Sequence, residues 1–78
     1  MTNLEYIKTT LNNGTLLGFE YEGKDGNIDP YYEGKDSYLL FFDNKELVVY
    51  SLEDVFTTRF IAGKTLKEVA DKIIITES

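Results

Sequence analysis

The chain has 78 residues, 14 acidic and 8 basic side chains and a net charge of −6; 42% of it is hydrophobic, including six Tyr and five Phe. A chain of this length makes one domain spanning residues 1–78, and folding buries only roughly 60% of its surface, so aromatic bulk must carry the core. With neither His nor Cys, it lacks the usual neutral-pH general base, a thiol nucleophile, any disulfide and the ligands that dominate zinc sites, while its negative balance repels nucleic-acid phosphates.

In chain order, residues 3–12 predict a short amphipathic helix. Leu4, Ile7 and Leu11 fall on one stripe, Thr2 or Asn3 caps its start, and Asn13-Gly14 ends it. Residues 15–22 alternate, with Leu17, Phe19 and Tyr21 on one face, as a half-buried strand does. Segment 23–36 holds four acids, two lysines, three glycines, two tyrosines and the only proline. It reads as a long surface loop; an alternative short strand through residues 27–32 would be confined by Pro30 to a sheet edge.

Residues 37–42 and 47–51 flank Asp43-Asn44-Lys45-Glu46 and predict a β-hairpin. Tyr38-Leu39-Leu40-Phe41-Phe42 is apolar on both faces, which suits a strand covered on both sides or one whose second face meets another chain. Ser51-Leu52-Glu53-Asp54 opens a short helix to about Thr57, with a cap and acids at the positive end of the dipole. Thr65-Leu66-Lys67-Glu68 is a capping box opening a last helix with Leu66, Val69, Ala70 and Ile73 as its core stripe. Ile74-Ile75-Thr76 either frays or adds a short strand. The longest apolar runs, 38–42 and 47–50, fall far short of the roughly 20 residues of a membrane helix, and the N-terminus lacks a signal peptide's pattern. A cytoplasmic protein with no membrane contact is expected.

A near-duplicate hexapeptide, Tyr21-Glu22-Gly23-Lys24-Asp25-Gly26 and Tyr32-Glu33-Gly34-Lys35-Asp36-Ser37, brackets the least hydrophobic part of the chain. Residues 20–36 carry six acids against two lysines. Tyrosines beside carboxylates offer rigid apolar area with a polar tip, so Tyr21, Asp25, Asp29, Tyr31, Tyr32, Glu33 and Asp36 form the candidate binding surface, with Tyr38 alongside. Asp25-x-Asn27-x-Asp29, then Glu33 and Asp36, also places oxygen ligands at offsets similar to a calcium loop, although Pro30 stands where the sharp turn needs Gly. Arg59, the sole arginine, is expected to pair with Glu53, Asp54 or the negative end of a neighbouring helix.

Ser51-Leu52-Glu53-Asp54-Val55-Phe56 followed by Gly63-Lys64-Thr65-Leu66-Lys67-Glu68-Val69 resembles the ends of small uncharacterised α+β domains of Gram-positive bacteria and their phages. Those often place a Phe-x-Tyr-x-Gly-Lys strand end upstream, as Phe19-Glu20-Tyr21-Glu22-Gly23-Lys24 does here. The resemblance implies the fold order and a bacterial or phage setting, and it brings no activity with it.

Together these features predict an α+β fold: a small antiparallel sheet of three to four strands, with an N-terminal helix and two short C-terminal helices packed mainly on one face. The function they predict is that of a non-enzymatic, acidic binding or accessory module needing no cofactor, such as a bacterial or phage inhibitor that occludes a basic site on a protein partner. Alternatives are a small-ligand or calcium-responsive regulator with weak calcium binding, and a structural homodimer or larger homo-oligomer. Direct nucleic-acid binding is not expected.

Overall fold

In the computed structural model, which describes residues 2–30 and 37–77, two-residue turns set the architecture. Glu22 (φ 51°) with Gly23 (φ 79°), and Asp43 (φ 50°) with Asn44 (φ 68°), are left-handed at both central positions. Such turns carry the twist of the strands they join, so each closes a tight hairpin. Tyr21 faces Lys24 across the first, and Phe42 faces Lys45 across the second. The strands β1 (Leu17–Tyr21), β2 (Lys24–Pro30), β3 (Tyr38–Phe42), β4 (Lys45–Val49) and β5 (Ile74–Glu77) form one sheet in the order β4-β3-β2-β1-β5. Every neighbouring pair is antiparallel. The sheet exceeds the expected three to four strands, and residues 45 and 46, expected in the hairpin loop, begin β4.

The largest correction concerns the expected loop at 23–36. Residues 24–30 are the central strand of the sheet, not a surface connection, and residues 31–36 lie outside the described residues. Inward positions Gly26, Ile28 and Pro30 are buried, while Asp25, Asn27 and Asp29 face the other way. The pattern looks polar because the Gly26 site needs no side chain. Phe19 lies opposite it, and a Cβ at Gly26 would come within 2.4 Å of the Phe19 ring. Pro30, the last residue of β2, lies beyond the pairing with β1, which ends at Ile28, so only β3 flanks it and the strand as a whole can still be central.

The helices follow their caps. In α1 (Asn3–Asn12) the Thr2 hydroxyl accepts from the Glu5 backbone N–H at 3.2 Å, and Gly14 (φ 75°) donates to the Leu11 carbonyl at 3.0 Å to close the far end. In α2 (Leu52–Thr57) Ser51 Oγ accepts from the Asp54 N–H at 3.1 Å. α3 (Leu66–Val69) is a single turn held by the capping box. Its expected stripe is buried, with Leu66, Val69, Ala70 and Ile73 between 0% and 5% exposed. The helix itself stops early because the chain must extend into β5, which pairs with β1.

Between β4 and β5, on opposite edges of the sheet, the chain runs through α2 and α3. Val55 and Phe56 of α2 and Leu66 and Val69 of α3 join Ile7 and Leu11 of α1 in one core with the inward strand residues Leu17, Phe19, Ile28, Leu40 and Phe42. The helices therefore bury one face of the sheet. Phe19 organises that face, stacking parallel to Phe42 at 6.2 Å and edge-on to Phe60 at 6.4 Å. No helix among the described residues is long and apolar enough to cross a membrane.

Candidate functional site

Antiparallel partners share a face of the sheet, so the register sorts every strand side chain into one of two sets. The face away from the helices carries Leu39, Phe41 and Val48, all half-buried, and Ile74, which is 62% exposed. Asp29 and Glu46 stand directly across from Leu39 and Phe41, and Asp25, Glu20 and Glu77 extend the acidic side of this face over β2, β1 and β5. No described strand places a lysine or arginine there; the strand lysines, Lys24 and Lys45, share the helix side with Tyr21 and Phe42. Glu20 and Asp25 are direct cross-strand partners, an arrangement of like charges that costs roughly 0.2–1 kcal/mol of sheet stability. Folding alone gives no reason for it.

Against the expected binding surface, Asp25 and Asp29 stand on this open face, two residues either side of Asn27. Tyr21 does not join them. It belongs to the helix side, is 4% exposed and packs its ring 6.4 Å from that of Phe42. Tyr38 is likewise buried. The expectation of exposed tyrosines beside the acids is corrected for these two, because alternation along β1 and β3 sends aromatic and carboxylate to opposite sides. Tyr31, Tyr32, Glu33 and Asp36 lie outside the described residues.

The calcium reading loses its geometry for the residues in view. Asp25, Asn27 and Asp29 lie along an extended strand, where side chains two residues apart are about 7 Å apart, whereas a tight loop would converge them on one ion. Among the described residues no group of three or more His, Cys, Asp or Glu is placed to hold a metal ion.

Arg59 pairs with neither Glu53 nor Asp54. Its guanidinium donates to Glu68 Oε1 at 2.9 Å and to the Gly63 carbonyl at 3.3 Å. The same carboxylate accepts from the Thr65 backbone N–H at 2.9 Å and from the Thr65 hydroxyl. These donors, the Thr65 backbone first, hold the Glu68 carboxyl below its ordinary value of 4.5.

Two of the concavities formed by the described residues lie on the helix side. One is a cleft of about 400 Å³ beneath both hairpin turns, closed by residues 59–63. The other is a groove between α1 and α2 where Lys8 sits 5.6 Å from the Phe56 ring centre, beside Leu4 and Leu52. The sequence carries a signal for the cleft in Tyr21-Glu22-Gly23-Lys24 and Phe42-Asp43-Asn44-Lys45, two copies of an aromatic, an acid, a turn residue and a lysine.

Compared with known protein families, with curated proteins and with solved structures, the chain matches none.

Proposed function

We propose that the protein is a non-enzymatic binding module that docks a basic patch of a protein partner on the uncovered face of its sheet and acts by occluding that patch. The observation that carries this reading is the sorting of charge: an apolar strip of Leu39, Phe41 and Val48 shares its face with Glu20, Asp25, Asp29, Glu46 and Glu77, and no described strand places a lysine or arginine on that face. An apolar centre with a charged rim is the anatomy of a protein interface, and the sign of the rim selects the partner. A second copy of this chain is disfavoured as occupant, since two such faces would oppose carboxylate to carboxylate. The proposed setting is the cytoplasm of a bacterium or a phage-infected cell, in keeping with the absence of cysteine.

A photoreactive residue at Asn27, in the middle of the face, and a control at Lys67 on α3 test this by capture from an extract of the source organism. The expected partner crosslinks from position 27 alone, through a Lys- and Arg-rich segment. Combining Glu20→Gln, Asp25→Asn, Asp29→Asn and Glu46→Gln then weakens the complex roughly tenfold or more at low salt, and about 1 M salt removes most of the difference. Crosslinking from Lys67 only, affinity unchanged by neutralisation, or a concentration-dependent mass showing self-association through this face would each overturn the reading.

A further inference from the structure

The cleft beneath the turns has a chemistry opposite to that of the open face. Three tight turns border it: Glu22-Gly23, Asp43-Asn44 and Ala62-Gly63, the last closed by reciprocal hydrogen bonds of 3.1 and 2.9 Å between Ile61 and Lys64. Its floor is aromatic, made by Tyr21, Phe42 and Phe60. Its rim holds Lys24, Lys45 and Arg59 against Glu22 and Asp43, three cations to two carboxylates in a chain whose net charge is −6. Lys24 is engaged with Asp43 at 3.1 Å and Arg59 with Glu68. Lys45 makes no ion pair among the described residues, although cross-strand pairing with Phe42 holds it beside the aromatic floor.

Tyr21 adds a second, independent observation. Its side chain is 4% exposed, yet its hydroxyl has no hydrogen-bond partner among the described residues. No described side-chain oxygen is both sealed from solvent and unbonded, so this hydroxyl opens into the cleft that the residue lines. A buried phenol whose donor has no partner among the described residues, lining the same cleft as Lys45 and a Phe floor, makes a recognition site with unmade bonds.

We infer that the cleft between the hairpin turns and residues 59–63 binds a small organic anion, a planar aromatic ring bearing a carboxylate or phosphate. The ring lies on Phe42 and Phe60, the anionic group is held by Lys45, and the Tyr21 hydroxyl donates to it. The volume suits a ligand of modest size, at the low end of the usual range for such sites. This site is separate from the docking face, and neither reading depends on the other.

Amide-resolved NMR titrations of the full chain test it with 2-naphthoate, phenyl phosphate, neutral 2-naphthamide and cyclohexanecarboxylate. The expected result is saturable shifts at residues 22–24, 43–45 and 61–64 with one or both aromatic anions, the two arms showing which head group is preferred. The neutral amide should bind about tenfold or more weakly, as loss of a charge-assisted hydrogen bond implies. Lys45→Gln, at an exposed position on an edge strand, should abolish the preference for anion over amide and leave the amide's own affinity intact. Tyr21→Phe should weaken the anion without moving the melting temperature. The inference fails if these amides do not shift by about 10 mM ligand, if shifts fall only in the groove between α1 and α2, or if the neutral amide or the cyclohexane acid binds as tightly as 2-naphthoate.

Discussion

Gly26→Ala is the sharpest test of how the sheet is packed. A Cβ there would lie 2.4, 2.8 and 2.9 Å from Cζ, Cε2 and Cε1 of Phe19, whereas carbon atoms prefer about 3.5–4.0 Å. The ring would have to retreat by about 1 Å, and it has nowhere to go: it is 1% exposed, parallel to Phe42 and edge-on to Phe60. Overpacking of this kind costs about 1–3 kcal/mol, and displacing the ring forfeits part of the roughly 0.5–1.5 kcal/mol that an aromatic pair contributes. Restricting the unfolded chain returns about 0.4–1 kcal/mol. The expected net loss is about 1–3 kcal/mol, a fall in melting temperature of roughly 4–24 °C for a domain of this size. Urea and thermal unfolding measure it. Phe19→Leu removes the clashing ring atoms, so the double variant should recover about 1–2 kcal/mol relative to the sum of the single changes. A Gly26→Ala protein within about 0.5 kcal/mol of the parent, or a coupling below that, would show that the ring over the glycine is not what excludes a side chain there.

Ala62 sits at φ 53° in the turn between Ile61 and Lys64, a conformation costing a non-glycine residue about 1–2 kcal/mol. Ala62→Gly should therefore raise stability by about 0.5 kcal/mol after the entropy of the freer unfolded chain is subtracted, and a lower urea midpoint would contradict this. Asn44 (φ 68°) is in the same region without being glycine, and Asn44→Val should destabilise by about 1–2 kcal/mol, visible as lost protection of the β3–β4 amides in hydrogen exchange. The lowered pKa of Glu68 has a definite sign: its contribution is present above the unfolded-state value and is lost as pH falls through the folded one. The gap in urea midpoint between the parent and Glu68→Gln should thus be open at neutral pH and narrow progressively below 4.5, and a gap constant with pH would refute the capping-box assignment.

Much of the fold is written in short-range chemistry. The Thr2, Ser51 and Thr65 caps each bind a backbone N–H three residues ahead, and Asp43-Asn44 adopts the left-handed pair its residue types favour. Such bonds need no information from elsewhere in the chain. The α+β class, the start of every helix, the second hairpin and the apolar second face of β3 are therefore legible from the residues alone. Each rests on neighbours, or on a periodicity of two or of three to four residues.

What tertiary structure decided is wherever a residue's partner is remote. Residues 24–30 are strand because the ring of Phe19 fills the space above Gly26, so a position that looks empty in the sequence is full in the fold. Arg59 takes Glu68 over the nearer Glu53 and Asp54 because the turn at 62–63 folds the chain back on itself. The separation of acids from lysines across the sheet, and of Tyr21 from Asp25 and Asp29, follows from strand register. Alternation places each side chain on one of two faces, but only pairing with β1, β3 and β5 fixes which face meets the helices and which stays open.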